Sequence, residues 1–218
     1  MRNLLLPTVL ATTALSGVAV VALAADTNNV VMQKAPSDTV RSIKPQADNN
    51  TLSEFRVNLS DEMRASAAEK KLLPNDAKSL LRVRTTLRHG EYIWNAKDVP
   101  SGRITIFVDV RRQMMSVFQG GHEIGTAVVV YGGGGHESPL GEFPILSKFR
   151  DYHSRTYDAP MPHSMFLTND GVAIHGNVMA ANRATKGCIG LPPEFAELLF
   201  DVARKGDVVQ ITRSDLPA

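Results

Sequence analysis

The run Arg103-Ile104-Thr105-Ile106-Phe107-Val108-Asp109-Val110 decides the fold class. Ile104, Ile106, Val108 and Val110 recur at every second residue, which gives a strand one apolar face. Arg111-Arg112-Gln113 makes a turn, and Met114–Phe118 returns as a second strand. Gly120-Gly121 turns the chain again, and 122–131 reads as a third strand ending at Gly132–Gly135. Residues 143–149 read as a fourth strand. Runs at 165–168 and 172–175 flank Asn169-Asp170-Gly171, a hairpin signal. Pro192 and Pro193 open a helix predicted over 194–204, since proline is tolerated in a first turn. Gly206 ends it, and 207–212 is a closing strand. Many short strands with little helix predict a mainly β domain over 101–213, a β-sandwich or barrel with one short C-terminal helix.

Upstream the texture differs. Residues 1–24 carry Arg2, an apolar run from Leu4 to Leu23 and the ending Ala22-Leu23-Ala24, the pattern of a secretory signal peptide cut before Ala25. If that segment stays uncleaved it is a membrane anchor, because its apolar length suffices to span a bilayer. Residues 25–58 are polar and predict a flexible linker. Residues 59–100 predict a small helical extension. Ser60 caps a first helix running to about Leu72, with Asp61 and Glu62 in its first turn. A second helix is expected from Ala77 to His89, with Leu80, Leu81, Arg84 and Leu87 near one face and Gly90 as its stop.

The chain has 218 residues, of which 43% are hydrophobic, enough for one main domain with a real core. Its formal net charge is +2, and no basic stripe carries interleaved aromatics, so nucleic acid is a poor fit as a partner.

Cys188 is the only cysteine. In an exported protein it has no internal disulfide partner, so it is either a small buried side chain or a nucleophile. Its surroundings, Ile174-His175-Gly176 and then Thr185-Lys186-Gly187-Cys188-Ile189, suit a nucleophile. A thiol reacts as its thiolate, and a neutral imidazole such as His175 takes the proton and later returns it. A third group must fix the imidazole tautomer, and the Gly176 carbonyl is placed to do so. Gly187 allows close backbone approach, and the Gly187 and Cys188 amides suit an oxyanion hole. Lys186 favours a thiolate electrostatically. Tyr152, Tyr157 and Met161 precede the strand that carries His175 and are candidates to line a groove or to pack. Asn177, Asn182 and Arg183 lie in the loop before Cys188, placed to meet substrate or solvent.

Two other chemistries fit poorly. His136, His153, His163 and His175 show no tight metal-ligand spacing, so no metal is expected. Gly132–Gly135 lacks the Lys-Ser/Thr of a phosphate loop and reads as a flexible loop, or as a mobile flap over the site.

The His-Gly pair followed by Thr-Lys-Gly-Cys resembles the active-site signature of the L,D-transpeptidase (YkuD) family. Ile106-Phe107-Val108-Asp109 with Gln113-Met114 resembles that family's opening strand pair. Ser138-Pro139-Leu140-Gly141-Glu142-Phe143-Pro144-Ile145 resembles its TP-x-G-x-F-x-I stretch, and 161–175 its run into the histidine. The resemblance covers about 103–212. It implies a β-rich fold, no cofactor, and peptidoglycan stem peptides as substrate. It also implies Cys188 as nucleophile, His175 as base and Gly176 as its orienting carbonyl. Thr185, Lys186, Gly187, Asn177, Tyr157 and Met161 are then the candidate substrate contacts. Two features depart from the family. Gly190 stands where the family usually carries arginine, and the loop between His175 and Thr185 is short, at nine residues.

Overall fold

The computed structural model describes residues 55–179 and 184–215. The expected signal segment and nearly all of the expected linker lie outside the described residues, as do Asn182 and Arg183. Among the described residues the order is β1 (Arg56–Asn58), a helix (Asp61–Glu69), β2 (Ser79–Leu81), β3 (Tyr92–Trp94), β4 (Ile104–Asp109), β5 (Met114–Gln119) and β6 (His122–Val128). There follow β7 (Gly141–Pro144), β8 (Ser147–Phe149), β9 (His153–Ser154), β10 (Ala159–Pro160), β11 (Ser164–Phe166), β12 (Ala173–Gly176) and β13 (Ile189–Leu191). A second helix (Pro193–Val202) and β14 (Val208–Thr212) complete the chain.

The larger sheet has the order β1-β2-β6-β5-β4-β14-β7. β2 and β3 share one edge of β6: Ser79 pairs with His122, and Tyr92–Trp94 pair with Ala127–Gly125. The smaller sheet has the order β13-β12-β11-β8. The Val130–Gly190 bridge joins the two sheets. The alternation in β4 works as the sequence dictates. Ile104, Ile106, Val108 and Val110 enter the main core with Met115, Val117, Ile174, Ile189, Phe195 and Ile211. The Pro193–Val202 helix covers that core, burying Phe195, Ala196 and Leu199.

The other face of β4 and β5 is covered as well. Phe107 and Phe118 pack with Ala77 against Leu59, Leu73 and Leu80. All six residues of β4 are therefore buried, because residues 56–81 cap the face that would otherwise meet water.

This corrects the expected helical extension. Its first helix forms, with Ser60 Oγ accepting the Met63 N–H at 3.3 Å, but buries none of its residues. Its second helix does not form. Ser79–Leu81 is a strand, and the Leu81 N–H donates to the Glu123 carboxylate at 2.7 Å, while Lys78 N–H donates to Gly121 O at 2.6 Å. Local helix propensity loses here to backbone partners offered by an existing sheet edge. Within residues 59–100, β2 and β3 therefore join the main sheet, β2 in place of the expected second helix. The single strand expected over 143–149 is also two, β7 in the larger sheet and β8 in the smaller. Among the described residues no helix is long and apolar enough to cross a membrane.

Candidate active site

Three strands of the smaller sheet bring the site together. The hairpin expected at Asn169-Asp170-Gly171 forms, with Met165 opposite Ile174 and Gly171 at φ +106°. β12 then pairs in parallel with β13, Ile174 beside Ile189 and His175 beside Gly190. Ile174 and Ile189 point into the main core. Side chains alternate along a strand, so His175 and Gly190 share the opposite face. Ala173 and Cys188 lie one residue before each member of the Ile174–Ile189 pair and occupy that same face. There Cys188 packs with Ala173 and Met161, flanked by Tyr152 and Phe166.

Both candidate side chains are buried, Cys188 at 9% and His175 at 7% exposure. The His175 Nδ1 lies 2.8 Å from the Gly176 carbonyl oxygen. A carbonyl only accepts, so Nδ1 carries the proton and Nε2 keeps its lone pair. Gly176 is itself fixed on both sides: its N–H donates to Pro162 O at 2.8 Å, and the Asn177 N–H donates to Leu191 O at 2.8 Å. In a trans peptide the C=O and N–H point in opposite directions. Tying the Asn177 N–H to β13 therefore turns the Gly176 C=O toward the ring.

Burial sets the resting charge. It pushes the Cys188 thiol above its ordinary value, opposed by the backbone at Ala173, while the thiol itself donates to Gly171 O at 3.8 Å. It lowers the His175 pKa, opposed by the Gly176 carbonyl. Both shifts favour the neutral thiol and the neutral imidazole. The arrangement suits proton removal during attack rather than a preformed thiolate–imidazolium pair.

The loop that carries Cys188 is held from behind. Thr185 N–H donates to Tyr131 O at 3.0 Å, and the Thr185 hydroxyl donates to the Cys188 carbonyl. Gly187 is buried at φ +103°, a conformation that favours glycine. Gly132 lies against it so closely that an added Cβ would sit 2.7 Å from the Gly187 Cα. The glycine run is therefore divided in its role. Gly132 is a buried packing residue, whereas Gly134 and Gly135 meet open space.

The candidate residues fall into three groups. Cys188 packs with Met161, and His175 with its Gly176 carbonyl lies on the same face, one register position along the β12–β13 pair. Thr185, Gly187 and Asn177 shape the backbone around them, the Thr185 hydroxyl being occupied by the Cys188 carbonyl. Lys186 is exposed, and Tyr157 is 55% exposed in the turn between β9 and β10. Tyr152, not Tyr157, is the tyrosine against the Cys188 cluster. Ser138 emerges as a site residue only in three dimensions, because its partners Gly132 and Gly187 lie in different parts of the chain. Among the described residues no group of acidic, histidine or cysteine side chains is placed to hold a metal ion.

Gly190 has a local cause. It exchanges both backbone hydrogen bonds with Val130, at 2.8 and 3.0 Å. A Cβ at 190 would sit 2.6 Å from Val130 Cγ2 and 3.0 Å from the Asn177 side chain. A side chain at 190, the arginine usual in the resembled family included, would force Val130 or Asn177 to shift.

The sequence profile of the L,D-transpeptidase catalytic domain (YkuD) matches residues 103–211, half of the chain. Among curated proteins none matches. Among solved structures, the L,D-transpeptidase of Stackebrandtia nassauensis aligns at TM-score 0.49 and 24% identity, over 55% of this chain and 58% of that one. An L,D-transpeptidase from Mycobacterium smegmatis aligns at 0.47 and 21%, over 50% and 58%. One from Mycobacterium tuberculosis H37Rv aligns at 0.48 and 19%, over 51% and 58%. The chain thus spans less than two thirds of the length of each. The matched profile contains both strands and the loop that assemble the site, and on that match the chain belongs to the L,D-transpeptidase catalytic domain (YkuD) family.

Proposed function

We propose that the protein is an exported, cysteine-dependent L,D-transpeptidase that acts on peptidoglycan stem peptides in the periplasm or cell wall. The observation that carries this reading is the His175 Nδ1 bond to Gly176 O at 2.8 Å, which leaves Nε2 free on the face that bears Cys188. Family membership supports the reaction class, and the pattern of residues 1–24 supports export.

The reaction runs in two halves. Cys188 Sγ attacks the carbonyl carbon of the third stem residue as its proton passes to His175 Nε2. The tetrahedral oxyanion is met by backbone N–H groups at Gly187 and Cys188. The C–N bond to the terminal D-alanine then breaks, and the imidazolium protonates the departing amine. A thioester remains on Cys188. The side-chain amine of a second stem attacks it, His175 takes the amine proton, and the C–S bond breaks to give a 3→3 cross-link. The proton on His175 returns to the sulfur. Throughout, Gly176 O holds Nδ1–H and stabilises the charge that the ring carries between steps.

Water in place of the second amine gives L,D-carboxypeptidase activity from the same acyl-enzyme. Incubation with a disaccharide-tetrapeptide separates these outcomes. Cross-linked dimer with free D-alanine supports the transpeptidase, and tripeptide with D-alanine supports the carboxypeptidase. Binding without D-alanine release would contradict both and leave a wall-binding module.

A further inference from the structure

We infer that Ser138 is a positioning residue for the oxyanion hole, acting through the peptide unit that joins Gly187 to Cys188. The inference rests on the acyl-transfer reading of Cys188. Ser138 is buried, at 7% exposure, and its hydrogen bonds go to the backbone of Gly132 and Gly187 rather than to His175 or Cys188 Sγ. Its hydroxyl oxygen accepts the Gly132 N–H at 2.9 Å. The same oxygen lies 2.9 Å from the Gly187 carbonyl. The carbonyl has no proton to give, so the hydroxyl proton belongs to the Ser138–Gly187 bond. One side chain thus ties the end of the strand that follows Val130 to the nucleophile loop, with donor and acceptor roles fully assigned.

The consequence follows from peptide planarity. Gly187 C=O and Cys188 N–H belong to one trans unit and point opposite ways. Fixing the carbonyl toward Ser138 fixes the Cys188 N–H away from it. That N–H is one of the two proposed donors to the tetrahedral oxyanion. Gly187 at φ +103° lies in the region where L side chains rarely sit and only glycine turns freely. Without an anchor a peptide unit next to glycine rotates readily. Gly132 completes the anchor, since any side chain there would meet His136 O at 2.2 Å and the Gly187 backbone at 2.7 Å.

The test compares two reactions at the same sulfur. Acylation by a carbapenem passes through a tetrahedral oxyanion, whereas alkylation by iodoacetamide needs only the thiolate. Both are followed by intact-protein mass for the parent and for Ser138→Ala, Ser138→Thr and Ser138→Val. Losing an oriented oxyanion donor slows acyl transfer by about 10²-fold, and partial misorientation by on the order of tenfold. We expect Ser138→Ala and Ser138→Val to acylate at least about tenfold more slowly while alkylating within about twofold of the parent. Ser138→Thr, which keeps the hydroxyl, restores acylation. Thr and Val match in shape, so this pair carries the comparison even if the Ala variant folds poorly. Equal acylation by parent, Thr and Val forms overturns the inference, as does a parallel loss of both reactions that Thr does not restore. A parent that alkylates but does not acylate overturns the acyl-transfer reading itself, and the inference with it.

Discussion

His175 and Gly190 sit side by side across the parallel pair β12–β13, and the second residue is what lets the first be braced. Gly190 has no side chain, so Val130 approaches to exchange two backbone hydrogen bonds with it. Asn177 closes over the same spot while its N–H holds Leu191 O and turns the Gly176 carbonyl onto His175. The residue that departs from the family pattern is thus built into the bracing of His175.

A side chain at 190 should therefore be costly. Gly190→Ala introduces a Cβ 2.6 Å from Val130 Cγ2. Overpacking of this kind costs about 1–3 kcal/mol. For a domain of this size each kcal/mol lowers Tm by about 2–4 °C. Val130→Ala removes the offending methyl, and the double variant should recover part of the loss in thermal melts. Gly190→Arg should fold less stably than Gly190→Ala. Additive effects of the 130 and 190 substitutions would contradict the contact.

The glycine run gives a paired test of packing against freedom. Gly132→Ala places a Cβ 2.2 Å from His136 O and 2.7 Å from Gly187 Cα. Gly134→Ala meets nothing, although its φ of +66° makes any side chain strained by about 1 kcal/mol. Acylation should fall about tenfold or more in the first, as expected for a displaced oxyanion donor, and stay near the parent rate in the second. Stopped-time mass measurements distinguish the two.

The pH dependence of reaction follows from the neutral resting pair. His175 is lowered from 6.5, so the base stays competent below that pH and the acid limb of acylation lies under it. Cys188 is raised from 9.0, so alkylation by iodoacetamide keeps rising above that pH. With His175 as the proposed base, acylation should be fast where alkylation is still slow. His175→Ala should abolish that advantage and leave acylation following the thiol alone.

Folding stability has its own pH signature, set by two groups of opposite sense. Glu123 is buried and pushed up to about 7 from 4.5, chiefly by loss of water, with Ser116, the Leu81 N–H and Arg56 opposing. The folded state binds its proton more tightly than the unfolded chain. Its contribution is fully present below 4.5 and is lost as pH rises toward 7. A shift of this size corresponds to about 3 kcal/mol. His175 acts oppositely: its folded value is lowered, so its contribution is present above 6.5 and is lost as pH falls below that. Glu123→Gln keeps an acceptor for Leu81 N–H. It should remove the loss between 4.5 and 7 and raise stability at pH 8, as measured by urea denaturation across pH. His175→Ala should flatten only the acid side.

Much of this was legible in the chain itself. The alternation of Ile104, Ile106, Val108 and Val110, the Asn169-Asp170-Gly171 hairpin and the Pro192-Pro193 helix start are local signals, and each forms where the local pattern places it. The Gly176 carbonyl as partner of His175 Nδ1 is readable because the two residues are adjacent in sequence. Residues 77–89 were not, since Leu80 and Leu81 fit a helix face or a strand equally, and the Glu123 carboxylate that captures Leu81 N–H lies 42 residues away. Ser138 and Val130 act on Gly187 and Gly190 from 49 and 60 residues away, a distance at which a single sequence carries no periodic signal. Tyr152 and Tyr157 are equivalent in composition, and only the β9–β10 turn separates the packed one from the exposed one.

Every role assigned to the site depends on acylation of Cys188. Intact-protein mass after mixing with a disaccharide-tetrapeptide or a carbapenem, beside Cys188→Ala, tests it most directly. An adduct is expected on the parent and not on Cys188→Ala, with D-alanine released stoichiometrically from the tetrapeptide. A folded parent that gains no mass from either reagent, or an adduct that persists in Cys188→Ala, would contradict it.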